Sequence, residues 1–280
     1  MKKILFASTA LVATAGVASA EISFGGSANF GIADTGSGVI VKNEVDFDIK
    51  GSGETDGGIM FGASLDIDGA FSDGADTQGE VSSPEVYMEV GGLKITVGSL
   101  DPANDNEGLA DIGFDGLGVD DQGEISGNGE ADVVINYSFG DIAVAASFEA
   151  DSAAPVAPDT NDDWALGVSG SFGDVSFAAG YGSVDGTNEH NLHLGYSMGA
   201  VALGVQYSDN GTNTGYGLDV KYTQGDLTVT AVYATNDAAG NQDAFGVGAS
   251  YSLGGGAAIA GGIAEVGGTS VYDLGMTFSF

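Results

Sequence analysis

The sequence contains no cysteine and no arginine among its 280 residues. Without cysteine the chain cannot form a disulfide bond, a zinc–thiolate site or a cysteine nucleophile. The fold must therefore be stable without covalent cross-links.

Positive charge is almost as scarce. The chain has 40 acidic residues against 6 lysines, and two of those lysines are Lys2 and Lys3. A protein that binds nucleic acid neutralises phosphates with a basic patch. No such patch exists here, so we exclude a nucleic-acid partner.

Long apolar runs are also missing beyond the first 20 residues. Residues 1–20 have the pattern of a cleaved secretory signal peptide, in which two lysines precede an apolar run ending at Val17, and Ala18-Ser19-Ala20 forms a small-residue cleavage site. No later run approaches the roughly 18 residues of a spanning helix. We therefore expect an exported protein, cleaved after Ala20, with residues 21–280 as a single domain.

Apolar and polar residues alternate along most of the remaining chain. In one segment, Val39, Val41, Val45, Phe47 and Ile49 alternate with Lys42, Glu44, Asp46, Asp48 and Lys50. Successive side chains of a strand point to opposite faces, so this pattern predicts strands with one apolar and one polar face. About 16 segments follow it, most of them roughly 8–11 residues long, which is the length a tilted strand needs to cross a bilayer.

The connections between these segments are alternately short and long. The short ones are glycine-rich, such as Gly140-Asp141, and favour tight hairpins. The longer ones comprise residues 34–38, 71–83, 101–131, 151–162, 184–188, 209–214, 237–243 and 266–270. Together with aromatic residues near the strand ends, such as Trp164, this layout indicates an all-β outer-membrane barrel. A soluble sandwich would alternate in the same way, but the many small residues on the polar face favour a wet interior.

The longest connection, residues 101–131, carries many carboxylates and no lysine. It has neither strand-like alternation nor a helical stripe, and a structureless loop of about 30 residues is usually functional or disordered. We call residues 101–131 the acidic loop, and predict that it lies inside the barrel and controls what passes. The candidate constriction residues are Asp101, Asp105, Glu107, Asp111, Asp115, Asp120 and Asp121.

Both ends of the mature sequence resemble the general diffusion porins of alphaproteobacteria. The hairpin Ser252-Leu253-Gly254-Gly255-Gly256-Ala257, the closing segment Asp273 to Phe280 and the start Glu21-Ile22-Ser23-Phe24 carry the resemblance. It implies a 16-stranded antiparallel transmembrane β-barrel that assembles as a homotrimer, has an inward-folded third loop, and lets ions and small hydrophilic solutes diffuse through. It also implies a C-terminal signal for the barrel-assembly machinery, formed by Tyr272, Phe278 and Phe280.

The same resemblance implies basic residues on the wall opposite the acidic loop, and this sequence has few. The charged residues predicted to line the lumen wall are Lys42, Glu44, Asp46, Asp48, Lys50, Lys94 and Lys221. Charges at a narrow water path govern ion selectivity. We therefore predict a largely negative pore that prefers cations.

Metal and catalytic sites have little support. Crowded carboxylates suit Ca²⁺, and Asp120 and Asp121 are where we expect such an ion, although no EF-hand spacing is present. His190 and His193 lie three apart and should face opposite sides of a strand, so they cannot share a metal. We expect His193 on the lumen face and His190 near the rim. No catalytic motif is present, so we predict neither an enzyme nor a required cofactor.

Two other functions remain open. A substrate-specific outer-membrane channel would need aromatic or arginine residues along the lumen, whereas most Tyr and Phe here fall on the apolar face. A closed structural or adhesive barrel would be smaller and packed inside, whereas about 16 strands leave an aqueous bore. The favoured prediction is an outer-membrane diffusion porin with lipid as its surroundings.

Overall fold

The structure is a computed structural model that describes residues 20–72, 75–81, 84–106, 108–150, 163–240 and 242–280. The signal-peptide prediction, apart from Ala20, lies outside these residues. Glu107 and the connection 151–162 also lie outside them.

The described residues form strand segments joined into one antiparallel sheet. They are β1 (Glu21–Asp34), β2 (Val39–Glu54), β3 (Met60–Ser72), β4 (Ala75–Val81), β5 (Glu85–Val90), β6 (Leu93–Leu100), β7 (Ala131–Phe139), β8 (Ile142–Phe148), β9 (Trp164–Phe172), β10 (Val175–Val184), β11 (Thr187–Met198), β12 (Val201–Asp209), β13 (Thr214–Gln224), β14 (Leu227–Asn236), β15 (Ala244–Gly254), β16 (Ala257–Val266) and β17 (Thr269–Ser279). Both β4 and β5 pair with β3, at its two ends. They are two halves of one barrel strand, so the barrel has 16 strands, as predicted.

The sheet closes because the first and last strands pair. β1 pairs with β17 from Ser27 opposite Ser279 to Asp34 opposite Tyr272. Gly26 and Phe280 exchange two backbone hydrogen bonds of 3.0 Å each at this seam. A closed barrel has no free edge, so the backbone polar groups of every strand are paired within the sheet.

The alternation of the sequence separates two faces of the barrel. The apolar face carries exposed large side chains, such as Phe47 and Leu218, and the polar face carries the residues between them. All the predicted lumen-wall charges, from Lys42 to Lys221, alternate with the apolar side chains and lie on the polar face. Aromatic rings pair on the apolar face near strand ends, as in Trp164 and Tyr181, whose centroids are 5.7 Å apart.

The two rims differ as predicted, but three connections are shorter than expected. The predicted loop 71–83 is largely replaced by strand, because β3 continues to Ser72 and β4 begins at Ala75. Residues 184–188 and 266–270 reduce to the two-residue turns Asp185-Gly186 and Gly267-Gly268. All four of these residues have positive φ, as tight hairpin turns require. The rim that carries the acidic loop therefore also holds tight turns.

The acidic loop joins β6 to β7, and its non-strand part spans residues 101–130. Its only regular element within the described residues is a 3₁₀ turn, Asp120–Gln122. Among the described residues no helix has the length and apolarity needed to cross a bilayer.

Candidate functional site

The acidic loop packs against the polar face of the barrel wall through an apolar cluster. Four loop residues, Leu109, Ile112, Leu117 and Val119, are buried together with wall residues Val232, Ala234, Ala244 and Val271. Burying each valine, leucine or isoleucine side chain of this cluster contributes about 1.5–3 kcal/mol. The loop is therefore held in part by a small hydrophobic core of its own.

The base of the loop is hydrogen-bonded to strand β11. Asn104 Nδ2 donates to Glu189 Oε1 at 2.5 Å, and the backbone N–H of Gly127 donates to the same oxygen at 2.9 Å. Asn191, two residues further along β11, donates to the Asn104 carbonyl at 2.7 Å and accepts from Asn106 Nδ2 at 2.6 Å. These contacts join the beginning and end of the loop to one strand.

The tip of the loop is hydrogen-bonded to β17, one of the two strands that form the closure seam. Asp273 of β17 accepts the backbone N–H of Phe114 at 2.8 Å and that of Asp115 at 3.3 Å. The side chain of Asp115 forms an ion pair with Lys42 of β2. Lys42, a predicted positive charge of the wall, is therefore neutralised by a loop carboxylate.

The middle of the loop is bonded to strands between these two points. Ser208 Oγ donates to the Gly123 carbonyl at 2.5 Å and accepts the Ile125 N–H at 3.2 Å. Asn236 Nδ2 donates to the Gln122 carbonyl at 2.9 Å. The loop thus follows the wall instead of touching it at one place.

Glycines line the wall under the loop. A Cβ added to Gly180 would lie 2.5 Å from Asn104 Cβ, and one added to Gly275 would lie 2.6 Å from Phe114 Cγ. Loop contacts of this kind, or hydrogen bonds, occur on β8 to β17 and on β1. We call the polar face of these strands the covered sector.

The polar face of β2 to β7, which we call the open sector, is mainly charged. Asp46 lies directly opposite Asp68, and Asp48 lies directly opposite Asp66. Ser27 Oγ donates to Asp46 Oδ2 at 2.9 Å, and Lys50 Nζ lies 3.1 Å from Asp48 Oδ1. Other charged members include Lys42, which is paired with Asp115 of the loop, and Glu44, Glu85, Glu89 and Lys94. Like charges directly opposite each other destabilise a sheet, so folding stability alone does not account for this arrangement.

The predicted constriction residues occupy different environments. Asp101, Asp105, Asp111 and Asp121 are exposed, Asp120 is half-buried, and Asp115 is paired with Lys42. Four of the predicted carboxylates are therefore exposed to solvent.

Two loop carboxylates have strongly raised pKa values. Burial, reinforced by the charge of Asp111, raises the pKa of Asp120 to about 6. Burial also raises the pKa of Glu124 to about 7, although the N–H of Leu109 donates to Glu124 Oε1 at 2.6 Å and partly offsets this effect. The loop therefore loses negative charge already near neutral pH.

Sequence reasoning missed the wall residues that hold the loop. Glu189, Asn191 and Asp273 are buried polar residues whose partners in the loop lie 62 to 159 positions away in the chain. Nothing in the local alternation distinguishes them from other polar-face residues. The apolar loop residues Leu109, Ile112 and Leu117, spaced irregularly among acids, were the available signal for a packed loop.

Several other predicted residues keep their expected positions. Lys94 Nζ lies 4.5 Å from the centre of the Tyr87 ring on the polar face. His190 and His193 lie on opposite faces as predicted, and His190 Nε2 is 3.2 Å from Tyr207 Oη. Among the described residues no three His, Asp or Glu side chains are grouped to hold a metal ion. Calcium at Asp120 and Asp121 stays a prediction.

The C-terminal residues predicted to guide assembly lie at the closure seam. Phe278 stacks on Phe30 with ring centroids 5.8 Å apart, and Phe280 lies 5.7 Å from Phe47. Their recognition by the barrel-assembly machinery, together with Tyr272, stays a prediction.

Comparison with known proteins identifies the family. A family profile described as Gram-negative porin matches residues 7–270. This chain is a Gram-negative porin. A curated relative, named porin, from Fuscovulum blasticum is 26% identical over 268 residues, covering 81% of this chain and 89% of the relative.

Solved porin structures have a similar fold. A variant of Rh. blastica porin has a TM-score of 0.79 at 23% identity, covering 92% of this porin and 100% of that chain. A Rhodopseudomonas blastica porin triple mutant has a TM-score of 0.76 with the same identity and coverage. At this identity the likeness concerns the fold alone.

Membership of this family identifies what the apolar and polar faces of the barrel contact. The porin is a passive general diffusion channel of the outer membrane and not an enzyme. Its exposed apolar face therefore meets lipid, and its polar face lines the bore.

Proposed function

We propose that the acidic loop of this porin folds into the bore, narrows it, and makes it prefer cations to anions. The observation that carries this proposal is the set of loop contacts on the polar face, which extends from Ser147 of β8 round to Lys42 of β2. A segment that touches the bore-lining face over most of the circumference reduces the cross-section left for water.

The charges on both sides of the remaining passage support a preference for cations. The loop offers exposed Asp101, Asp105, Asp111 and Asp121, while the open sector offers carboxylates such as Asp46 and Asp68. Lys42 and Lys50 are each paired with an aspartate. Carboxylates at a narrow neck lower the free energy of a cation there and raise that of an anion.

Reversal potentials in planar bilayers test this proposal. In a KCl gradient we expect single channels to reverse toward the potassium equilibrium potential. The double substitution Asp111→Asn and Asp121→Asn should move the reversal potential toward zero. Asp141→Asn, in an exposed turn far from the loop, is the matched control with the same chemistry. An anion-selective wild type, or a double variant that behaves like the control, would contradict the proposal.

The residues on the polar face give less support to the two alternative functions, a substrate-specific channel and a closed barrel. A substrate-specific channel would need a track of aromatic residues along the bore, and among the ten tyrosines and one tryptophan only Tyr87 lies on the polar face. A closed barrel would conduct no ions. Block of the current by one solute class, or no current at all, would favour these alternatives in turn.

A homotrimer is the second part of the proposal. Tyrosine and tryptophan favour the headgroup region where a strand meets lipid. On the apolar face they occur from β7 to β17, whereas the apolar face of β1 to β6 carries mainly aliphatic residues and phenylalanine. This difference supports contact between protomers through β1 to β6.

Lipid accessibility tests the protomer contact. In a Trp164→Phe background, a single tryptophan at position 45 (Val45→Trp, β2) should be protected from quenching by brominated lipids. The matched variant Val205→Trp in β12 should be strongly quenched. Equal quenching at the two positions would exclude an interface on β2.

A further inference from the structure

Glu189 is a buried carboxylate on the bore-lining face of β11. The residue is only 4% exposed, and so it cannot contribute to the ion path as the exposed loop acids do. The two hydrogen bonds it accepts come from loop residues 23 positions apart, Asn104 and Gly127, and both reach Oε1. One oxygen atom therefore joins the beginning of the loop to its end.

The surroundings of Glu189 extend this junction. Asn104 is 1% exposed, and its carbonyl accepts from Asn191 Nδ2, which also donates to Ser126 Oγ at 3.2 Å. Ser126 and Gly127 are adjacent in the sequence. Glu189 and Asn191 are neighbours on the same face of β11, two residues apart. The four residues Asn104, Ser126, Glu189 and Asn191, with the N–H of Gly127, form a closed hydrogen-bonded unit that we call the clasp.

A carboxylate is suited to this position because it accepts several hydrogen bonds at once. Bonds to an ionised acceptor are roughly twice as strong as those between neutral groups. Burial of the charge costs free energy that the two donors offset, whereas removal of the carboxylate would leave Asn104 Nδ2 and the Gly127 N–H unpaired in a buried place.

We infer that Glu189 is a positioning residue that fixes the base of the acidic loop and thereby sets the width and selectivity of the bore. This inference rests on the proposed role of the loop as the constriction. Glu189 touches no permeating ion and acts only through the loop. Asp273, which holds the tip, acts at a different point of the same segment.

Loop order can be measured without measuring conduction. The chain has no cysteine, so Asn128→Cys gives one exposed site beside the clasp for a nitroxide spin label. In the background of this label we would compare the wild-type wall with Glu189→Ala, Glu189→Gln and Asp219→Ala. Asp219 is a buried carboxylate on the same face of β13 and is the matched control, and its neighbours are wall residues such as Gly204.

We expect the mobile component of the spectrum to increase about tenfold or more in Glu189→Ala, because hydrogen bonds to a charged acceptor are lost. Glu189→Gln keeps an acceptor oxygen and should remain close to the wild type, while Asp219→Ala should not differ from it. Equal mobility in Glu189→Ala and Asp219→Ala would overturn the inference. If Glu189→Ala fails to fold, Asn104→Ala removes one of the two bonds from the loop side and leaves the barrel wall intact. It must also increase the mobile component, by less than Glu189→Ala because the Gly127 N–H still donates to Glu189.

Reversal potentials of the same variants distinguish the role of the clasp as an anchor from the proposed role of the loop as the constriction. A mobile loop with reduced cation preference supports both the clasp and the constriction. A mobile loop with unchanged selectivity and conductance supports the clasp as an anchor but overturns its control of the bore, and the proposed function fails with it. A wild-type spectrum with altered selectivity overturns the clasp and leaves the constriction standing.

Discussion

The covered and open sectors of the bore-lining face belong to one sheet but consist of different strands and different kinds of residue. The covered sector presents glycines and buried hydrogen-bonding side chains such as Gly180, Asn191 and Asp273, whereas the open sector presents rows of carboxylates such as Asp46 and Asp68. In the first, each residue has to fit a neighbouring chain segment. In the second, water surrounds the side chains, so electrostatic requirements decide their identity instead of packing.

Removal of the loop is the largest change that this comparison suggests. Replacement of residues 105–124 by a short Gly-Ser linker should raise single-channel conductance about twofold or more, because the whole cross-section then carries water. Some cation preference should persist, since the carboxylates of the open sector remain. Unchanged conductance in planar bilayers would mean that the loop does not narrow the path.

Neutralising the open sector tests its electrostatic role. The combined substitution of Asp46, Asp48, Asp66 and Asp68 by Asn should lower cation preference, measured as a reversal potential in a KCl gradient. Thermal stability, followed by heat-dependent gel mobility, should stay equal or increase. The reason is that like charges directly opposite each other cost about 0.2–1 kcal/mol per pair. A large loss of stability would indicate that these acids serve the fold.

Two glycines on the polar face of β1 compare a position under the acidic loop with a position away from it. A Cβ at Gly31 would lie 2.7 Å from Phe114 Cε1 and also meet the backbone of β17, whereas one at Gly25 has only ordinary contacts, the nearest at 3.5 Å. Gly31→Ala should therefore cost about 1–3 kcal/mol, as overpacked sites do. Gly25→Ala should be nearly neutral in the same thermal unfolding measurement. Equal effects would mean that the loop and β17 both leave room for a methyl group at Gly31.

Titration of the loop gives the smallest expected effect. With pKa values of about 7 for Glu124 and about 6 for Asp120, lowering the pH from 8 to 5 should remove two negative charges and weaken cation preference. Both values are raised, so protonation favours the docked loop, and this contribution is lost as the pH rises through 7. Glu124→Gln should abolish the step near pH 7 and leave the lower one. A pH-independent reversal potential over this range would contradict the assignment.

The strands were predictable and the loop anchors were not, for a physical reason. Alternation has a period of two residues and is visible within any one strand, so β2 and its charged face could be read directly from the sequence. The partner of Glu189 or Asp273 depends on closure of the whole barrel, which brings together residues far apart in the chain. The lengths of two turns were predicted wrongly for the opposite reason. Asp185-Gly186 and Gly267-Gly268 are local turn signals that were grouped with their polar flanks.

The pairing of β1 with β17 has a consequence for the order of folding. The first strand of the domain receives its second neighbour only after the last strand has been delivered, so the cylinder cannot be completed progressively as the polypeptide arrives. Until then the outer edges of β1 and of the last strand added carry backbone N–H and C=O groups without hydrogen-bond partners. Such groups are too costly to expose to the hydrocarbon core of a bilayer. Biogenesis of this protein therefore requires an intermediate in which the unpaired strand edges are shielded from lipid until β17 pairs with β1.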